Sequence, residues 1–342
     1  VSWDGVSQSA FARGRDRFPD GAVEPVAERA PRGPRIGLAL GGGSARGWSH
    51  IGVIEALEEA GIHPEVVAGC SIGAVVGGCY AAGKLPVLKD FALSLTRRGV
   101  MGLIDVRFGS GLIAGDRLRR RLQRDLGERR IEQLPVRFAS VATELGSGEE
   151  VWLRRGSLVE AMRASYALPG IFPPVRLEAR LLMDGTLVNP VPVTVARALG
   201  ADLVICVNLN GEACPEPVAV DPPATLVSEA GDTVALHRGW AILRGMRGAG
   251  RRIAGRRRRP AREPGAPGMA RVMLDAFNIT QDRISRARLA SDPPDIAVQP
   301  RIGGMGLFEF HRAEEAIALG REAARAALPQ IRAMMVCAAS RV

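Results

Sequence analysis

The chain has 342 residues, enough to bury a full core and too many for a disulfide-held mini-protein. Hydrophobic residues at 46% and charged residues at 24% describe a globular protein, not an intrinsically disordered one. The formal charge is +10, no apolar run is long enough to span a bilayer as a helix, and the N-terminal stretch is charged throughout, so neither a membrane-spanning helix nor a secretory leader is expected.

Residues 1–34 are polar and end among Pro25, Pro31, Gly33 and Pro34, which reads as a disordered arm. Ile36 to Leu40 is a short apolar run suited to a buried strand, and Gly41 to Gly47 is a glycine-rich loop. A helical pattern spans Trp48 to Ala60, with Ile51, Val53, Ile54 and Leu57 apolar and Gly61 as its stop. Val66 to Ala68 is a second strand, and Ile72 to Ala82 a small-residue helix ended by Gly83. Strand, loop, helix, strand, helix is the order of a parallel sheet covered by helices. Farther on, Ala114 to Leu126 reads as a basic amphipathic helix. Val136 to Thr143 and Glu150 to Leu153 read as strands, and Leu158 to Tyr166 as a helix. Leu181 to Met183 is a strand end, Pro192 to Leu199 a helix and Asp202 to Leu209 a buried strand. Residues 213–270 are rich in Pro, Gly and Arg and read as an insertion or linker. Val272 to Leu289 and Glu309 to Ala327 are terminal helices within 271–325, with 326–342 as a tail. The fold expected is α/β, a parallel-rich sheet with helices on both faces and a core over 35–212.

Chemistry concentrates in two turns. Gly69-Cys70-Ser71-Ile72-Gly73 is a G-x-S-x-G, in which a serine sits on a sharp strand-to-helix turn and small flanking residues let its hydroxyl project. The pentapeptide alone is a weak signal in a chain with 41 glycines; its position between a strand and a helix strengthens it. The Gly41 to Gly47 loop exposes backbone N–H groups that cradle an anion. A dinucleotide site would want an acidic residue about 20 residues on, after the second strand, and Ser71 stands in that region instead. An oxyanion hole for acyl transfer fits better. A base is also needed. His50, His63, His237 and His311 each suit a structural role. Asp184 follows an apolar strand and precedes Gly185, and a carboxylate within reach of a serine hydroxyl can take its proton directly.

These stretches resemble the patatin-like phospholipase family, nearest its short bacterial members related to the catalytic domain of neuropathy target esterase. The resemblance rests on Gly41 to Val53, Gly69 to Gly73, Arg163 to Ser165 through Pro169 to Pro174, and Met183 to Gly185 through Asn189. The 295–312 stretch adds to it. It implies a catalytic Ser71–Asp184 dyad, an oxyanion hole at Gly42, Gly43 and Ser44, Arg46 structuring the loop, and no metal or organic cofactor. Two positions depart from the family: Thr186 stands where Gly or Ala is usual after Asp-Gly, and Ser44 where Gly is common. The function expected is a serine lipid acyl hydrolase of phospholipase or lysophospholipase type. The alternatives are an esterase or thioesterase on small soluble acyl groups, and a catalytically weak scaffold that binds membranes or partners.

Five cysteines without a C-x-x-C pair read as reduced thiols of a cytoplasmic protein rather than a zinc or redox site. Arg251, Arg252, Arg256, Arg257, Arg258 and Arg259 crowd into nine residues. They read either as a solvated loop or as a peripheral contact with anionic lipid at the inner face of the membrane. Nucleic acid ranks below lipid, because no binding signature or interleaved aromatic accompanies the run.

Overall fold

The computed structural model describes residues 33–103, 116–210 and 269–340. Its strands are Ile36–Leu40 (β1), Val66–Cys70 (β2), Arg137–Glu144 (β3), Glu150–Leu153 (β4), Val175–Leu177 (β5), Arg180–Asp184 (β6), Leu203–Val207 (β7) and Ile296–Val298 (β8). Its helices are Ser49–Glu59 (α1), Ile72–Ala81 (α2), Leu85–Ser94 (α3), Arg97–Leu103 (α4), Asp116–Leu126 (α5), Leu158–Ser165 (α6), Val193–Ala198 (α7), Met269–Ser291 (α8) and Ala313–Ala339 (α9).

β1, β2 and β7 are buried at every position, as strands covered on both faces must be. Together with β3 and β8 they form a parallel array in the order β3-β2-β1-β7-β8. Side chains alternate between the two layers. Leu38 and Leu40 join a large cluster with α1, α2, α6 and α9, whereas Ala39, Ala68 and Cys206 join Val193, Val195 and Ala196 of α7 on the other face. The sheet expected from the sequence is thus present, with helices on both sides.

One edge of β3 carries two strands in line. Ser140 and Val141 pair with both β2 and β4, so β2 and β4 lie on opposite edges of β3. Ala142 and Thr143 pair with both β4 and β6, so β6 lies on the edge that β2 occupies. β2 ends with Cys70 opposite Val141, and β6 arrives from the other direction with Asp184 opposite Ala142. The residue after Cys70 is therefore delivered against the end of β6.

α9 lies along α1 through two glycines. A Cβ on Gly52 would sit 1.9 Å from the Ile317 carbonyl oxygen, and one on Gly320 would sit 2.0 Å from that of Ser49. The sequence reading differs here. The expected helix end at Ala327 and the expected tail from 326 are replaced by a helix that continues to Ala339, with Ile331 fully buried. Pro329 invites a stop at that point, but the apolar spacing carries on through it. The helical start expected at Trp48 is preceded by a 3-10 turn, Ser44–Trp48. α3, α4, β5 and β8 were not legible as elements; β5 and β8 are too short to show a period. Most of the expected arm, and nearly all of the expected insertion with its arginine run, lie outside the described residues.

Candidate active site

Ser71 sits between β2 and α2 with φ 54 and ψ −121. A non-glycine residue in that region is strained, and the strain persists only because its surroundings hold it. The Ser71 amide donates to Ser165 Oγ at 2.8 Å, and Ser165 donates in turn to the Val141 carbonyl. Gly73 lets α2 start close under β1, since a Cβ there would lie 2.2 Å from the Leu40 carbonyl oxygen. Ser71 Oγ donates to Asp184 Oδ2, at the end of β6, at 2.8 Å.

Asp184 closes β6 and opens a 3-10 turn, Gly185–Leu187. It is 1% exposed. Its second oxygen, Oδ1, accepts from the Thr186 amide at 2.9 Å and from the Thr186 hydroxyl at 2.7 Å. Thr186 Oγ1 accepts from Gln281 Nε2 of α8 at 2.7 Å. Burial pushes the Asp184 carboxyl up to about 6, against the opposing pull of the Thr186 bonds and of Ser71. Thr186, the departure noted in the sequence, thus contributes two hydrogen bonds to the carboxylate and leaves the turn intact.

The glycine loop stands beside this pair. Of its three expected anion donors, Gly42 is already engaged: its amide donates to the Pro190 carbonyl at 3.0 Å. The amides of Gly43 and Ser44 have no partner among the described residues, and both residues line the cleft above Ser71. Ser44 has φ 53, so it holds a left-handed conformation where glycine would be unstrained. Arg46 Nε donates to the Met305 carbonyl at 3.0 Å, and the Ala45 amide donates to that of Leu307, which braces the loop against the chain before α9. From below, His50 Nε2–H donates to the Gly41 carbonyl. Burial lowers His50 to about 4, so the ring is neutral and structural. His63 is exposed and His311 accepts from Arg97, so no described histidine touches Ser71 or Asp184; His237 lies outside the described residues.

Ser71 and Asp184 open into a cleft of about 760 Å³, its solvent-facing part included. Its walls are apolar, with Ile72, Tyr166, Ile171 and Phe172 on one side and Phe277, Leu307, Phe308 and Phe310 from the C-terminal part of the chain. Sequence reasoning found none of these last four. They lie far along the chain from Ser71; the resemblance over 295–312 pointed toward Leu307, Phe308 and Phe310 only as a stretch, and nothing pointed to Phe277.

The strained Ser71, bonded to the buried Asp184, thus stands beside a glycine loop at the end of β2 in an α/β sheet. The comparisons supply the family. The model of the patatin-like phospholipase family matches residues 38–197. An NTE family protein of Mycobacterium tuberculosis is 36% identical over 334 residues, covering 88% of this chain and 93% of that protein. Patatin-like phospholipase domain-containing protein 6 of Mus musculus is 32% identical over 244 residues, covering 69% of this chain and 17% of that protein. Among solved structures, VipD from Legionella pneumophila is 18% identical with a TM-score of 0.41, covering 54% of this chain and 51% of that one. The chain belongs to the patatin-like phospholipase family, and that membership supports lipid hydrolase activity in general terms. No helix among the described residues is long and apolar enough to cross a membrane.

Proposed function

We propose that the protein is a serine lipid acyl hydrolase that cleaves carboxylic esters of phospholipids or lysophospholipids through a Ser71–Asp184 dyad. The observation that carries this reading is the 2.8 Å bond from Ser71 Oγ to Asp184 Oδ2 at the base of an apolar cleft. Ser71 Oγ attacks the ester carbonyl carbon while its proton passes to Asp184 Oδ2. The resulting oxyanion is held by the amides of Gly43 and Ser44, which supports a two-donor hole in place of the three-residue one the family resemblance implied. Collapse of the tetrahedral centre breaks the ester C–O bond, and the Asp184 proton goes to the departing alkoxide. Water then attacks acyl-Ser71, Asp184 takes the proton of that water, and the fatty acid leaves as the proton returns to Ser71 Oγ. The aromatic and aliphatic walls suit an acyl chain better than a small polar acyl group.

A fluorophosphonate probe and a panel of esters of increasing chain length test the reading. Wild type is expected to be labelled once and to favour long chains, and Ser71→Ala to lose both labelling and turnover. Labelling that persists in Ser71→Ala refutes the nucleophile. A preference for acetyl over long-chain esters returns the soluble-substrate alternative.

A further inference from the structure

Thr186 is one of the two positions at which the sequence differs from the expected family pattern, and Gln281 comes from a helix much later in the chain. Both are buried, at 1% and 5% exposure, although both are polar. Their hydrogen bonds have only one consistent set of directions. Thr186 Oγ1 and an ionised Asp184 Oδ1, 2.7 Å apart, need a proton between them, and only the threonine hydroxyl carries one. The threonine oxygen is then left to accept, so the Gln281 amide must present its NH2 group to it, 2.7 Å away. Packing holds the threonine in this rotamer. A Cβ on Gly42 would lie 2.2 Å from Thr186 Cγ2, so the methyl fills the space that a loop glycine leaves. α8 is itself pinned, because Arg288 donates to the Val188 carbonyl and to Glu150 Oε2, both at 3.1 Å.

We propose that Gln281 and Thr186 are positioning residues for the hydrolytic site: Thr186 fills Asp184 Oδ1 with its amide and hydroxyl, and Gln281 fixes the direction of that hydroxyl, so that Oδ2 is left to Ser71 and the carboxylate keeps its proton-accepting form. The proposal rests on the dyad reading above. Without the hydroxyl, Oδ1 keeps only the Thr186 amide, and the carboxylate loses one charge-assisted bond to its ionised form. Titratable groups on the elements packed around Asp184 include Cys70 on β2, Arg137 and Glu144 on β3, Glu150 on β4, Arg176 on β5, Glu160 and Arg163 on α6, and Asp275, Asp282, Arg283, Arg286 and Arg288 on α8. Glu150 is held by Asn189 and Arg288, Glu160 by Arg163, and Asp282 by Arg286. The Cys70 thiol is pushed well up by burial and stays neutral. None of these groups shifts Asp184, whose position is set by burial and by its hydrogen bonds.

The test is the pH profile of turnover of a soluble short-chain ester by the full chain, together with the pH dependence of fluorophosphonate labelling. Thr186→Val is expected to lower kcat about 10-fold or more with KM near wild type, and to move the acid limb up by about one pH unit, the worth of one hydrogen bond to a charged group. Thr186→Ser, which keeps the hydroxyl, is expected to restore both. Gln281→Glu is the sharper variant. A carboxylate only accepts, so it draws the Thr186 proton away from Asp184 and adds a negative charge nearby; the acid limb is expected to move up again. An acid limb that stays in place in Gln281→Glu overturns the proposal, whether or not Thr186→Val folds. Turnover that survives Ser71→Ala or Asp184→Asn overturns the dyad itself, which is a separate result.

Discussion

Asp184 carries a conflict between stability and chemistry. Its burial favours the neutral acid, and its proposed role as a base needs the anion. An ordinary aspartate ionises near 4 and Asp184 near 6, so between those values the native state holds a proton that the unfolded chain has released. Stability contributed by this group is therefore present below about pH 4 and is lost as pH rises toward 6. Asp184→Asn is expected to abolish this dependence. It should raise the thermal midpoint at pH 8, by a gain of up to about 3 kcal/mol, with little effect at pH 4. Calorimetry at both values checks the sign; a midpoint that falls equally at both rejects the conflict. The same variant is expected to lose about 100-fold or more in turnover, the range of a missing general base.

At the scale of the element, α9 is the feature the sequence undersold. Gly52 and Gly320 let two helix backbones meet, and Arg321 and Arg325 pair with Glu55 and Glu59 along the same contact. The partly exposed ion pairs add little, and the close packing is what holds the helices together. Gly320→Ala forces the backbones apart and is expected to cost about 1–3 kcal/mol, as overpacking does. Ile331 lies beyond Pro329 and is fully buried. Ile331→Ala is expected to cost about 2–5 kcal/mol. Urea titration of the two variants measures both costs. A stability unchanged in Ile331→Ala would return the chain after 326 to a dispensable tail.

Across the whole molecule, the proposed dyad and the proposed membrane contact fall on different parts of the chain. Ser71 and Asp184 lie at strand ends of the sheet, and the six arginines from Arg251 to Arg259 sit in a stretch of sequence that lies outside the described residues. Arginine near an acidic leaflet adds about 1 kcal/mol per residue at most, and salt screens it. Replacing all six by serine is expected to weaken sedimentation with anionic vesicles at low salt and to leave turnover of a soluble short-chain ester unchanged. Equal sedimentation by the mutant rejects the membrane contact. Tight binding of nucleic acid by wild type at physiological salt would favour the partner ranked below it.

Local pattern was enough for much of this molecule. The G-x-S-x-G turn and the apolar runs of β1, β2 and β7 are set by residues within a few positions of one another, so Ser71 and Asp184 were legible as candidates. Their juxtaposition was not. It follows from β3 offering one edge to β2 and β6 in line, a pairing between segments distant in the chain. The state of each loop amide was also hidden, because the Gly42 partner is Pro190, far along the chain. Phe277, Gln281, Leu307, Phe308 and Phe310 follow the same rule. Hydrophobic period and turn chemistry are local and survive in a linear text, whereas which wall closes a cleft, and which hydroxyl holds a carboxylate, depends on contacts that exist only once the chain has packed.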